Sequence, residues 1–291
     1  MNFEYIDKYI SMALMEDLGQ AGDITTNATI GEKLVSTANI IYKTDGVLAG
    51  VPHALRVFEL LSKTLNCPDV KIYKTTDDGK AIKKGAIIIK ISGSTRLILS
   101  GERTFLNILQ RMSGIATYAR KLSDLIAGTG ARIVDTRKTT PNFRIFEKDA
   151  VRLGGAANHR FGLFDGILIK DNHIAASKSI TAAVKKARAY AHHLIRIEVE
   201  TKNIEEVKEA LMSGADVIML DNMPPAEMKK AVKLIDGGAI TEASGGINEN
   251  NIVEVARTGV DLISIGALTH SARSADISLD IIKTAEKKWT I

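Results

Sequence analysis

At 291 residues the chain is about twice the usual domain length, so two domains, or one large barrel with an appendage, are expected. Its 45% apolar and 25% charged residues are ordinary for a globular chain and exclude a disordered, collagen-like or membrane-spanning protein. A net charge of +5 is too small for a polybasic tail, while the single cysteine, Cys67, removes an intrachain disulfide or a cysteine zinc site and makes the reducing cytoplasm the expected compartment.

Phe3, Ile6, Ile10, Ala13 and Leu14 recur near helical spacing, predicting an opening amphipathic helix that ends around Leu18-Gly19. Glu4, Asp7 and Lys8 interrupt it too often for a signal peptide, and no run of eighteen apolar residues marks a membrane span. Asp23–Asn27, rich in turn and cap formers, reads as a loop. Strands follow at Ser36–Tyr42 and Ala86–Ser92, with a helix at Pro52–Leu65 between them. From Gly101 a long helical pattern runs through Phe105, Leu109, Met112 and Ala116 to Ile126, with a break or kink expected at Ser113-Gly114; this helix is expected to bridge the domains.

Beyond residue 130 short apolar runs end in polar or glycine residues: Ile133–Lys138, Gly166–Asn172, Ile195–Glu200, Val217–Asn222, Ile240–Gly246 and Leu262–Gly266. Amphipathic segments such as Ala182–Ala191, Ile204–Ser213, Ala226–Ile235 and Asn250–Thr258 lie between them, long enough to be crossover helices. Six βα units imply an α/β barrel, whose active site would gather at the carboxyl ends of the strands. Ile277, Leu279 and Ile281 then alternate with polar residues, a strand pattern expected to return to the first domain.

Three groups of residues at those strand ends carry chemistry. Arg137, Lys138, His159, Arg160 and Lys170 would converge on one mouth suited to an anion, since Arg offers a planar fork to carboxylate or phosphate and Lys a mobile charge. Glu200 and Asp221 would sit side by side, suited to Mg²⁺ bound partly through water or to sugar hydroxyls. Glu198, on the same face as Glu200, is accounted for by a structural salt-bridge network. Ser244-Gly245-Gly246 and Gly266-Ala267, on the last two strands, offer backbone N–H groups to a phosphate. His173 would support the mouth from behind. The remaining histidines, His53, His192, His193 and His270, read as surface or packing residues, and none forms a nucleophilic triad or a zinc pair.

In order along nearly the whole chain, the strings Glu16–Gly19, Gly22–Thr25, Glu102-Arg103, Gln110–Thr117, Thr136–Thr139, His159-Arg160, Ile169–His173, Glu198–Glu200, Leu220–Asn222, Glu242–Ile247 and Gly266–Ser271 resemble the quinolinate phosphoribosyltransferases. The resemblance implies an N-terminal α/β sandwich domain at 1–112, completed by a tail at 270–291, and an incomplete α/β (TIM-like) barrel at 113–269. It implies a homodimer, with higher assembly left open, and a decarboxylating pentosyl transfer in NAD biosynthesis. Quinolinate and phosphoribosyl pyrophosphate would give nicotinate mononucleotide, pyrophosphate and carbon dioxide, with Mg²⁺. By position, Arg137, His159, Arg160 and Lys170 would hold the quinolinate carboxylates, joined by Arg103 from the neighbouring subunit. Lys138, Glu200 and Asp221 would engage the phosphoribosyl pyrophosphate and its metal, and Ser244, Gly245, Gly246, Gly266 and Ala267 would cradle the 5-phosphate. Thr136 and Ile265 complete the expected substrate contacts, and Lys138, Lys170, Glu200 and Asp221 the expected catalytic set. The chain departs from the family's usual pattern at Asn142 and Ala156, where glycines are the rule; Asn tolerates the left-handed backbone that glycine would supply.

Competing readings remain distinguishable. A transferase acting on nicotinate would share the sugar-phosphate site but release no carbon dioxide, and a barrel aldolase would use Lys170 as a Schiff-base nucleophile. A nucleic-acid binder is disfavoured by 5% aromatic content and by basic residues that sit at strand ends, not in an arm.

Overall fold

The computed structural model describes residues 3–286; residues 1–2 and 287–291 of the expected N-terminal domain lie outside the described residues. Helix α1 (Phe3–Leu18) buries Ile6, Ile10 and Leu14 at helical spacing. The expected loop after it is instead a short helix, α2 (Ile24–Thr29), because the Asp23 carboxylate accepts the Thr26 N–H at 2.9 Å and satisfies a free donor of the first turn. Strands β1 (Leu34–Tyr42) and β2 (Gly46–Val47), helix α3 (Val51–Thr64), and strands β3 (Lys71–Thr75), β4 (Ala81–Ile82) and β5 (Ala86–Ser94) follow. In β1 the alternate residues Ser36, Ala38, Ile40 and Tyr42 are buried, the period of a strand with one covered face. Phe58 of α3 stacks on Phe105 at 5.0 Å between centroids.

Helix α4 (Thr95–Leu125) runs unbroken through Ser113-Gly114, where a kink was expected. Ser113 accepts the Ala49 N–H at 3.0 Å, and a Cβ at position 114 would run into the Arg273 carbonyl oxygen. The glycine is there to admit a neighbouring backbone, not to bend the helix.

The second half alternates as expected: β6 (Arg132–Val134), α5 (Arg144–Leu153), β7 (Ile167–Ile169), α6 (Asp171–Ser177), α7 (Ile180–Tyr190), β8 (Ile197–Thr201), α8 (Ile204–Met212), β9 (Val217–Asp221), α9 (Pro225–Ile235), β10 (Ile240–Ser244), α10 (Ile252–Ala256), β11 (Leu262–Ser264) and α11 (Ala267–His270). Its six strands are parallel, in the order β6-β11-β10-β9-β8-β7, an open wall and so an incomplete barrel. The chain then ends its described part in β12 (Ile277–Glu286), antiparallel to β1 from Tyr42↔Ile277 to Leu34↔Glu286, in a four-stranded sheet ordered β12-β1-β5-β3.

The chain divides into two compact units. One holds the chain up to Tyr118, Thr140–Gly154 and the chain from Ala272; the other holds Ala119–Thr139 and Gly155–Ser271. Within the first unit, segment 140–154 is tied in by Glu147, which is fully buried and accepts from Arg111 at 2.7 Å and from the Thr140 hydroxyl at 2.9 Å. Asn142, in the turn before α5, has φ 62°, the left-handed backbone expected there. Among the described residues no helix is long and apolar enough to cross a membrane.

Candidate active site

Each barrel strand ends by delivering one to three polar side chains to a cavity of about 610 Å³, within the usual range for a small-molecule site. Its lining includes Thr136, Arg137 and Lys138 after β6, His159 and Arg160 before β7, Lys170 after β7, and Glu200 of β8. Asp221 of β9 and Ser244, Gly245 and Gly246 at the end of β10 also line it. All of these belong to the barrel unit. The alternation of β8 explains why Glu198 and Glu200 point inward while Ile197 and Val199 pack outward.

The cations are held by local bonds. The Lys138 N–H donates to Thr136 Oγ1 at 3.0 Å, and Thr269 Oγ1 donates to the Lys138 carbonyl at 2.7 Å. Arg160 Nη1 donates to the Gly166 carbonyl at 2.8 Å, which anchors its guanidinium. Burial, and next the charge of Arg137, push the Arg160 pKa below its ordinary value, a sign of crowded positive charge that an anion would relieve. Lys170 begins α6, and its backbone N–H donates to His173 Nδ1 at 2.9 Å, so His173 does support the mouth from behind.

On the acidic side, Lys170 Nζ lies 3.5 Å from Glu200 Oε2. Burial raises the Glu200 carboxyl above its usual range, assisted by the charges of Asp221 and Asp171 and opposed by Lys170. Asp221 accepts from Asn222 Nδ2 at 2.9 Å. Two carboxylates on neighbouring strand ends, open to water on one side, are a donor set that fits Mg²⁺, which keeps several waters and takes one or two protein carboxylates.

Ile265, Gly266 and Ala267 stand apart from the lining, with Ile265 buried. Gly266 is nevertheless close to the site, since a Cβ there would meet Lys138 Cδ at 2.9 Å. Arg103 lies on α4 in the first unit, exposed to solvent. Sequence reasoning passed over Asn222, Leu168, Met219, Ser264 and Glu242 in the lining. For Glu242 a signal existed: it precedes Ser244 by two residues on one strand and therefore shares its face.

Two buried acids face His159. His159 Nε2 lies 2.9 Å from Glu198 Oε2 and 3.7 Å from Glu242 Oε2. Glu242 is wholly buried, and burial, reinforced by the Glu198 charge and opposed by His159 and Ser264, pushes its carboxyl up to about 7.

An open parallel wall with a cationic cup and an acidic rim at its carboxyl ends defines an α/β-barrel protein that handles small polyanions. Residues 23–113 match the N-terminal domain, and residues 115–280 the C-terminal domain, of the family described as quinolinate phosphoribosyl transferase; the chain belongs to that family. It is 44% identical over 286 residues to a protein of Bacillus subtilis named probable nicotinate-nucleotide pyrophosphorylase [carboxylating], covering 98% of this chain and 96% of that one. A chloroplastic nicotinate-nucleotide pyrophosphorylase [carboxylating] of Arabidopsis thaliana is 43% identical over 290 residues, covering 94% of this chain and 81% of its own. The crystal structure of NadC from Streptococcus pyogenes superposes with a TM-score of 0.92 at 38% identity, over 99% of both chains.

Proposed function

We propose that the cavity is where quinolinate and phosphoribosyl pyrophosphate react to give nicotinate mononucleotide, pyrophosphate and carbon dioxide. The observation that carries this reading is the convergence of Arg137, Lys138, Arg160 and Lys170 on one cup opposite Glu200 and Asp221. A dianionic pyridine beside a polyanionic sugar needs that much positive charge; a neutral substrate does not.

Arg137, Arg160 and Lys170 take the pyridine carboxylates, with His159 in the wall between them and Arg103 reaching in from a second copy of a homodimer. Thr136, Lys138 and the turn Ser244–Gly246 receive the phosphoribosyl group, with Ile265–Ala267 closing the 5-phosphate end. Glu200 and Asp221 would hold Mg²⁺, which supplies positive charge to the departing pyrophosphate. As the bond from ribose C1 to pyrophosphate breaks, the two carboxylates stabilise the electron-poor ribose in a site organised in advance, and the pyridine nitrogen forms the new bond. With that nitrogen quaternised, the bond to the adjacent carboxylate breaks and its electron pair stays on the ring carbon beside a positive centre, which then takes up a proton. Lys170 is ion-paired to Glu200, an arrangement that serves charge placement better than imine formation. The single cysteine and the absence of a long apolar helix among the described residues are consistent with work in the cytoplasm.

The test is incubation with quinolinate, phosphoribosyl pyrophosphate and Mg²⁺ while carbon dioxide and mononucleotide are followed, with nicotinate as the parallel substrate. Equal amounts of both products from quinolinate, and little from nicotinate, are expected. Mononucleotide from nicotinate alone would reassign the enzyme.

A further inference from the structure

His159, Glu198 and Glu242 place one ligand atom each within 4.8 Å of the others. Glu198 is 6% exposed and Glu242 not at all. Neither oxygen of Glu242, nor Oε1 of Glu198, has a hydrogen-bond partner among the described residues. Buried polar atoms of this kind call for an explanation, and a divalent ion or a hydrogen-bonded brace would each supply one.

The ring nitrogens decide between them. The Arg160 backbone N–H donates to His159 Nδ1 at 2.8 Å, so Nδ1 presents its lone pair there and carries no proton. The ring's proton is then on Nε2, where it points at Glu198 Oε2, 2.9 Å away. A metal taken by Nε2 needs the lone pair on that atom, which moves the proton to Nδ1 and sets it against the Arg160 N–H. An imidazolium meets the same clash. The loop cannot readily turn away, because the His159 N–H donates to Asp135 Oδ1 at 2.8 Å and Asn158 Nδ2 to Asp135 Oδ2 at 2.7 Å, and Asp135 is wholly buried.

We propose that Glu198 is a positioning residue that holds His159 as a neutral Nε2–H imidazole in the cavity wall, leaving Arg137, Arg160 and Lys170 to neutralise the carboxylates of the substrate. The tautomer follows from the hydrogen bonds alone; the consequence for the substrate rests on the reading of this cavity as a quinolinate site. The tendency of Glu242 to keep its proton fits the arrangement, since it removes one negative charge from beneath a dianion.

The test uses the full chain labelled with ¹⁵N-histidine, with the His159 signals assigned by their loss in His159→Gln. One unprotonated and one pyrrole-type nitrogen, Nδ1 and Nε2 respectively, are expected at neutral pH, with Nε2 keeping its proton when Mg²⁺ or Zn²⁺ is added. Two protonated nitrogens, the opposite tautomer, or loss of the Nε2 proton on adding either ion would overturn the proposal. Kinetics supply the second arm. Glu198→Ala frees the ring and should raise KM for quinolinate about tenfold while kcat changes little, the scale of one lost buried hydrogen bond. Glu198→Gln, which keeps an acceptor, should restore KM to near the native value; a glutamine variant as impaired as the alanine one counts against positioning. A native enzyme that fails to turn over quinolinate would defeat the functional reading, while the ¹⁵N spectrum would still decide the tautomer.

Discussion

Gly245 has φ 91°, and the space a Cβ would fill is taken by the side-chain amide of Asn222 from the neighbouring strand. Two constraints therefore fall on one residue of the Ser244–Gly246 turn, a backbone that side-chain-bearing residues avoid and a contact with no room. Gly245→Ala is expected to cost about 1–3 kcal/mol in stability and to raise KM for phosphoribosyl pyrophosphate more than that for quinolinate, as steady-state kinetics and a thermal melt would show. The Gly-Gly pair was legible in the sequence as a turn after a strand, but its tie to Asn222 was not, because the two meet only once β9 and β10 pair. Lys138, Arg160, Lys170, Glu200 and Asp221 were legible for the opposite reason: each ends a strand pattern or adjoins one, and strand ends of a parallel barrel share one mouth. Glu242 was missed because a charged residue inside a short strand reads as solvated, and only the spacing to Ser244 reveals that it faces inward.

At the scale of elements, α4 shows how a residue's local meaning yields to its surroundings. A glycine at mid-helix costs about 1 kcal/mol relative to alanine, so propensity alone makes Gly114→Ala stabilising. The Arg273 carbonyl occupies the site of the new methyl group, and overpacking of that kind costs about 1–3 kcal/mol or more. A lower melting temperature for Gly114→Ala is therefore expected; a raised one would show that the 273–274 backbone moves aside freely. Sequence patterning placed α1, α3, β1, β5, the six barrel strands and helices α7 to α10 near their observed positions, because burial follows period 3.6 or period 2, but gave no sign of β2, β3, β4, α5, α6 or α11. It is silent where a distant segment sets the local contacts: at 114, against residue 273, and at Glu147, bound by Arg111. Helix α2 was missed on local grounds, since Asp23–Asn27 can cap a helix as well as make a turn.

For the molecule as a whole, stability should respond to pH from two directions. Asp7 accepts two bonds from Arg56, at 2.7 and 2.6 Å, and the guanidinium holds its carboxyl below the usual range. Its contribution is present above the unfolded-state value and is lost as pH falls through the lower folded one. Glu242 acts in the opposite sense. Between the ordinary glutamate value and about 7, the unfolded chain has released this proton and the folded chain retains it, so stability falls as pH rises across that window. Glu242→Gln should lessen that decline, seen as melting temperatures that gain on the native protein from mildly acid to neutral buffer. Parallel curves for the two proteins would show that Glu242 is ionised in the folded state throughout.

The pairing of β1 with β12 sets Leu34 opposite Glu286, so one neighbour of an early strand is synthesised only after all six barrel strands. While the ribosome is still producing the barrel, β5 can already lie against one side of β1, but the other side offers unsatisfied amides and carbonyls to any extended peptide nearby. The nascent chain therefore passes through a stage in which its barrel strands are complete and its first sheet is open, when chaperone capture or strand exchange between nascent copies competes with correct closure.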